Sequence, residues 1–482
     1  MLPRHYQSAT RLALDIRRRD TTAVELLELF LRRVDALNPA INALIQQDRE
    51  GARMRAEAAD AALARGEVHG PLHGVPITVK ESFDVRGMPT TWGIPALAAH
   101  PAQTDALAVQ RLTRAGAVLF GKTNVPLNLA DFQSYNDIYG VTENPWQAGR
   151  TPGGSSGGSA AALAAGLTAL ELGSDIGGSI RNPAHFCGVF GHKPTWELLP
   201  ARGHTINDAL AMADISVIGP LARSAADLRL AMSLLAQPDE IEARGVRYRL
   251  PALGEPTSQL RIAVWEDDAL CPVSGAVRAK VRAVADALAN AGARVDAAAR
   301  PAFSAAESHA LYGDLLQSAL AAAIPDDAFA SLRNRARSLA PDDRSEATRI
   351  TRAQVLRRRD WARLNEARTQ LRWHWHRFFQ QQDFVLAPIM PVTAFAHDHG
   401  RFGGRRLEVD GHALPYFDVL FWAGLAGVAW LPATMIPGGL ATDGLPVGVQ
   451  IIGPAWGDLR TIGLAERLEA MGFAFTPPPA LD

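Results

Sequence analysis

Seven consecutive residues, Gly153-Gly154-Ser155-Ser156-Gly157-Gly158-Ser159, carry no side chain larger than a hydroxymethyl group. They follow Thr151-Pro152 and run straight into the helix-forming Ala160–Ala165. Backbone this bare can serve as a flexible linker, cradle a phosphate, or bring main chain close to a reacting centre. A linker is the commonplace use of a Gly/Ser tract, but linkers do not usually pass directly into good helix formers. A second knot, Asp175-Ile176-Gly177-Gly178-Ser179-Ile180-Arg181, follows downstream. Upstream, a lone lysine closes an apolar, strand-like run, Val75-Pro76-Ile77-Thr78-Val79-Lys80. These three pieces are expected to form one site.

The chain of 482 residues is 48% hydrophobic and 21% charged, which is ordinary for a globular protein with a large core. A formal net charge of -1 leaves no electrostatic footprint for nucleic acid or an anionic membrane. Cys187 and Cys271 are too few for a disulfide framework and lack metal-ligand spacing, so reduced thiols in a cytoplasm are expected. The first twenty residues hold no apolar core of signal-peptide length. The stretch Val419–Pro437 comes nearest to a membrane span but is interrupted by Gly424, Gly427 and Pro432. A cytoplasmic protein without a membrane segment is the expectation.

Periodicity predicts an amphipathic helix over Ser8–Arg19, then a capping box at Thr22–Glu25 opening a helix that Asn38-Pro39 should stop. A third helix is predicted over Asp48–Arg65. Short strands are predicted at Gly74–Val79 and Ala117–Gly121, with a helix over Thr104–Ala115 between them. Residues 123–152 are polar and without period, and a loop of that length inside a compact protein is more often functional than idle. A helix is expected over Ser159–Ala169, strands near Leu170–Gly173, Leu260–Trp265 and Arg294–Ala299, and a helix over Gly275–Ala291. Residues 305–380 read as helical almost throughout, an elaboration expected to pack on the sheet. Strands at Phe384–Ala387 and Gly444–Gly453 and a helix over Asp458–Met471 complete the chain. Helices alternating with short apolar strands indicate an α/β fold with covered sheet faces.

The first tract is a formal G-x-S-x-G match. A nucleophile elbow needs a preceding strand, and Gln147–Pro152 is a polar loop. A phosphate loop needs Gly-Lys-Ser/Thr, which is missing. Serine chemistry based on lysine remains. A lysine of ordinary pKa, about 10.4, is neutral roughly once in 2500 molecules at pH 7, so holding it neutral costs about 4.6 kcal/mol unless its surroundings do so. Burial among Val75, Ile77 and Val79 would shift Lys80 in that direction, although a surface lysine beside Glu81 is the simpler reading of that run alone. The residues before Ser179 offer successive N–H groups suited to an oxyanion, or an ordinary glycine turn.

Taken together, these segments resemble the amidase signature family, serine hydrolases with a Ser–cis-Ser–Lys triad. The resemblance is densest in Gly74–Lys80, Gly121-Lys122-Thr123-Asn124, Asn144-Pro145-Trp146, Gly153–Ser159, Asp175–Pro183 and Gly191-His192-Lys193-Pro194, and returns in Asp443–Gln450. It implies one α/β/α domain over 1–482, with a large mixed β-sheet covered by helices on both faces. Within it, 1–70 would be N-terminal helices, 74–220 the catalytic core, 305–380 the helical elaboration and 384–482 the C-terminal part of the sheet. It also implies Lys80 as base, Ser155 on a cis peptide as relay and Ser179 as nucleophile. Ile176, Gly177, Gly178 and the Ser179 N–H would form the oxyanion hole, with Ser156, Asp175 and Arg181 holding the loops together. Glu81 stands where the family commonly has Asp.

The resemblance implies hydrolysis of carboxamides to carboxylate and ammonia or amine, with no metal or cofactor. The alternative is the amidase component of a glutamyl-tRNA amidotransferase, which works with a partner; a catalytically idle scaffold is a third class. The expected partner is a small aliphatic or aromatic amide, and a homodimer is compatible with it. Acyl-pocket walls are expected from residues 123–136, the Trp196 region, 305–380 and 414–432, with Phe132, Phe417, Phe421 and Trp422 as candidates. Trp361, Trp373 and Trp375 read as packing, with a substrate channel as the alternative. His397-Asp398-His399 reads as polar surface rather than a metal cluster. His185 and His192 lack a recognisable orienting acid, and Cys187 reads as a buried small residue.

Overall fold

Apolar runs and alanine-rich amphipathic helices alternate along the chain, and the computed structural model, which describes residues 2–206 and 209–481, folds them into a mixed α/β architecture. Met1, Asn207, Asp208 and Asp482, which the expected ranges include, lie outside the described residues. In chain order the strands are β1 (Leu44–Gln47), β2 (Pro76–Lys80), β3 (Val118–Thr123), β4 (Tyr135–Asn136), β5 (Gly140–Val141), β6 (Glu171–Asp175), β7 (Phe190–Lys193) and β8 (Val217–Ala222). They continue as β9 (Arg261–Val264), β10 (Arg294–Asp296), β11 (Phe384–Ala387), β12 (Arg406–Val409), β13 (His412–Pro415), β14 (Ala433–Leu440) and β15 (Pro446–Ile452).

An eight-stranded sheet has the order β10-β9-β11-β15-β14-β7-β8-β6. Its β10–β9 and β9–β11 pairs are parallel, and the remaining pairs are antiparallel. A three-stranded sheet, β1-β3-β2, is separate in its backbone ladder. The eight-stranded sheet is the large mixed sheet expected from the resemblance, and the three-stranded sheet abuts it where β2 lies beside β6. Side chains close that seam. Thr168 Oγ1 accepts from Thr78 N at 3.0 Å, Thr78 Oγ1 bonds the Glu171 carboxyl, and Ser174 Oγ lies 2.9 Å from Lys80 Nζ. Burial pushes the Glu171 carboxyl up to about 8, so near neutral pH it is mostly an uncharged acid, as a dry seam requires.

Helices cover both faces of the large sheet. Strand alternation sends neighbouring residues to opposite sides. On β7, Gly191 meets Ile180 and Ala184 at the helix Arg181–Cys187, while His192 bonds Asp458 at the start of the helix Asp458–Ala470. The helix Leu420–Gly427 is buried along its whole length from Phe421 onward. A helix apolar all round needs cover on every side, and the helix Ala305–Leu320 supplies it. The 305–380 elaboration thus packs chiefly on that helix rather than on the sheet.

Several boundaries differ from expectation. The second helix runs through Pro39 to Ile41 and ends on Asn42 in the left-handed region, after the expected capping box. Pro39 sits in the last turn, where its missing N–H removes a single bond, and past the helix end Asn38 Oδ1 accepts from Ala43 N and Leu44 N. The helix after the glycine-serine tract spans Gly157–Ala164, shorter than expected, because Gly166 turns the chain at φ 67°. Strands β1, β4, β5, β7, β8, β12, β13 and β14 were not expected. Among the described residues, no helix is long and apolar enough to cross a membrane.

Candidate active site

Lys80 ends β2, completely buried, and its Nζ donates to Ser155 Oγ at 2.7 Å and to Ser174 Oγ at 2.9 Å. Burial pulls its pKa down to about 7, against smaller opposing effects of Asp175 and Glu81. The resemblance implies Ser155 as the partner of the lysine; Ser174 is an addition. Its signal in the sequence is a hydroxyl between the strand-like Leu170–Gly173 run and the second knot. Glu81 turns away from the lysine and accepts from Trp92 N at 3.0 Å and from Thr91 N. Its longer side chain fits that role without touching the serines.

The Gly154–Ser155 peptide is cis, as the resemblance implies. Main chain encloses it so closely that a Cβ on Gly154 would fall 2.4 Å from the Asp131 carbonyl oxygen and 2.5 Å from that of Gln133. This close approach explains a glycine here better than any linker role. The loop that wraps the peptide is itself fastened by a buried ion pair, Asp131–Arg405 at 2.7 Å, with Tyr416 OH donating to the same carboxylate.

Asp175 and Arg181 tie the second knot. The carboxylate accepts from Gly178 N (2.9 Å), Ile180 N (3.1 Å), Arg181 Nε (3.0 Å) and an Arg181 terminal nitrogen (2.9 Å). Burial would raise its pKa, but the guanidinium and these donors outweigh it and hold the carboxyl at about 2. Of the expected oxyanion donors, Gly178 is therefore committed to Asp175 and is not free. The N–H groups of Ile176, Gly177 and Ser179 donate to no protein acceptor among the described residues. Ser156 N donates to the Ser179 carbonyl at 3.1 Å, and Ser156 Oγ to the Ser174 carbonyl at 3.3 Å, which joins the two knots. Asn182 joins them again: its Oδ1 accepts from Gly154 N at 3.0 Å, and its Nδ2 donates to the carbonyls of Gly154 and Gly178. Sequence reasoning missed Asn182, since nothing in Arg181-Asn182-Pro183 marks a clamp.

A cavity of about 410 Å³ opens onto Ser179, Ile176 and Gly177. Lys80 and Ser155 are buried out of reach of solvent and do not line it. Phe132, Leu316, Ile350, Phe417 and Leu420 make its apolar wall. Phe132 and Phe417 line it as expected. Phe421 and Trp422 do not: they are buried behind the wall, with Trp422 Nε1 bonded to the Cys271 carbonyl. Trp196 stacks on Trp430 at 4.3 Å and lines no part of the cavity. Trp375 is packed against Phe303, Phe378 and Phe379, and Trp373 is exposed, so the tryptophan group is not a channel.

The other candidates are engaged elsewhere. His397 bonds Glu143 at 3.2 Å and His399 stacks on Tyr135. His192 has an acid partner after all, Asp458 at 3.1 Å, but its other nitrogen bonds Thr434, and the pair fastens a helix to β7. His185 lies between the Gly448 and Val392 carbonyls. Cys187 is buried, and burial pushes its thiol up.

A mixed sheet between helices, with a cavity ending at a serine backed by a buried lysine, has the make-up of an amidohydrolase. The family model that matches, Amidase, spans residues 25–462, and the chain belongs to that family. It is 32% identical to a glutamyl-tRNA(Gln) amidotransferase component of Synechococcus sp. (strain RCC307) over 94% of this chain and 95% of the other. It is 34% identical to an indoleacetamide hydrolase of Bradyrhizobium diazoefficiens over 92% of this chain and 82% of the other. A solved bacterial aryl acylamidase of the amidase signature family shares the fold, with a TM-score of 0.82 at 24% identity over 97% of each chain.

Proposed function

We propose that the protein hydrolyses the C–N bond of small carboxamides with Ser179 as nucleophile, Ser155 as relay and neutral Lys80 as base. The observation that carries this reading is the 2.7 Å contact of Lys80 Nζ with Ser155 Oγ, a buried pair whose loop is bonded to that of the cavity-lining Ser179 through Ser156 N and the Ser179 carbonyl. As Ser179 Oγ bonds the acyl carbon, its proton passes to Ser155 and the Ser155 proton to Lys80. The reverse transfer protonates the departing nitrogen, so ammonia or an amine leaves neutral. Water then takes the place of the amine, gives its proton to the same relay and frees the carboxylate. The N–H groups of Ile176, Gly177 and Ser179 receive the oxyanion. Ser156, Asp175 and Arg181 keep the knots in register, and no step calls on a metal or cofactor.

The apolar wall favours an aliphatic or aromatic amide, and an ester with the same acyl group is an easier side substrate. A cytoplasmic enzyme is the reading, as a monomer or homodimer. The 32% identity to an amidotransferase component favours a second reading, in which ammonia is passed on within a complex with a partner. Purified protein assayed on free aryl and alkyl amides separates the two: turnover by the chain alone supports the first, and turnover only with an added partner supports the second. Ser179→Ala should abolish hydrolysis and labelling by a fluorophosphonate. Near wild-type turnover in that variant would refute the mechanism.

A further inference from the structure

Tyr312 stands outside every role assigned so far. It lies on the helix Ala305–Leu320, is fully buried, and donates its phenol hydrogen to the Ile176 carbonyl at 2.8 Å. The fold makes room for it. A Cβ on Gly424 would fall 2.6 Å from Tyr312 Cδ1, and one on Gly427 would fall 3.2 Å from Cε2. Two glycines one turn apart on the helix Leu420–Gly427 thus form the bed of the ring.

The bonded carbonyl belongs to the Ile176–Gly177 peptide. A trans peptide is planar, with its C=O and N–H pointing in opposite directions. Fixing the Ile176 oxygen on the tyrosine therefore aims the Gly177 N–H the other way. That N–H has no protein acceptor among the described residues, and Gly177 lines the cavity beside Ser179. We propose that Tyr312 is a positioning residue for the oxyanion hole: its hydroxyl locks the peptide whose N–H receives the developing negative charge. Without it, the half-buried Ile176 carbonyl loses its protein donor. A rotated peptide would satisfy that oxygen elsewhere and turn the N–H away from the acyl oxygen. Burial raises the phenol pKa, so the hydroxyl remains a donor throughout the working pH range. The inference rests on the proposed Ser179 mechanism, because an oxyanion hole presupposes attack by that serine.

Tyr312→Phe keeps the ring in its bed and removes only the hydroxyl. On an aryl amide hydrolysed by the wild type, kcat should fall about 10- to 100-fold, below the 100- to 1000-fold loss of an entire oxyanion donor, with KM changed less than about twofold. Binding of a trifluoromethyl ketone, which presents an oxyanion, should weaken in proportion to kcat, whereas competitive inhibition by the carboxylate product should not. Gly424→Ala, which displaces the ring but leaves the hydroxyl, should show the same pattern in milder form. Unchanged kcat in Tyr312→Phe, or equal weakening of ketone and product, would overturn the proposal. The Ser179→Ala control keeps the two failures apart. If it is active, the underlying mechanism is wrong; if it is dead while Tyr312→Phe turns over normally, only the role of Tyr312 falls.

Discussion

Asn182 grips Gly154 at both ends of its carboxamide, accepting from the Gly154 N–H and donating to the Gly154 carbonyl. The same amide nitrogen reaches the Gly178 carbonyl at 2.9 Å. One short side chain thereby sets the distance between the residue before Ser155 and the residue before Ser179. Asn182→Ala should lower kcat roughly 100-fold through misplaced serines and reduce stability by about 3 kcal/mol through unpaired backbone groups. Steady-state kinetics and urea unfolding read the two effects separately. Wild-type kcat in a destabilised variant would reduce Asn182 to packing.

In the proposed mechanism Lys80 acts as a base only when neutral, and burial places it at about 7. Below that pH the protonated fraction grows, so kcat/KM should fall about tenfold per pH unit and reach half its plateau near pH 7. Above pH 8 it should be level until another group titrates. A flat profile between pH 5.5 and 7 would remove Lys80 from the role of base.

The same shift burdens the fold. A lysine at 10.5 when unfolded and about 7 when folded destabilises fully below pH 7, by about 5 kcal/mol at most, less at each step from pH 7 to 10.5, and not at all above. Lys80→Met should therefore be inactive yet more stable at pH 6, with the difference from wild type shrinking towards pH 10. Thermal melts of the two proteins at pH 6, 8 and 10 would measure it. A pH-independent difference would contradict the burial argument.

Arg405 is the partner of a buried carboxylate, Asp131, whose loop encloses the cis peptide. Arg405→Ala should cost about 3–5 kcal/mol, because a charge is left alone in the interior. The loop should loosen around Gly154, so activity is expected to drop before the global unfolding midpoint in urea. Activity and fluorescence followed along one urea series would show whether the two transitions separate.

The site is legible in the sequence because its chemistry lies in short runs. Alone, Lys80 reads as a surface lysine and the second knot as a glycine turn; the resemblance carried by the whole set of runs, in order, is what names them with the cis serine. What escapes depends on chain brought from afar. Ser174 matters only because β2 docks on β6, and Asn182 only because its helix turns its first residues back on Gly154. Strand β8 reads Val-Ile-Gly-Pro-Leu-Ala and β14 contains Pro437-Gly438-Gly439, so glycine and proline mask the alternation that marks strands. Gly178 reads as an oxyanion donor because a bare N–H in sequence does not reveal that Asp175, three residues earlier, already holds it.

The two abutting sheets divide the machinery. Lys80 rides on the three-stranded sheet, while Ser174 and Ser179 ride at the β6 end of the eight-stranded one. Among the described residues the bonds that cross between them are mostly side-chain ones, through Thr78, Thr123, Thr168, Glu171 and the lysine itself, with a single long main-chain bond from Ala169 N to the Pro76 carbonyl at 3.4 Å. In the proposed mechanism turnover therefore gauges how tightly the two sheets are seated on each other. A slippage too slight to change helix content is enough to move Lys80 away from Ser174 and Ser179. On heating, catalysis should vanish while far-ultraviolet ellipticity still reports an intact protein.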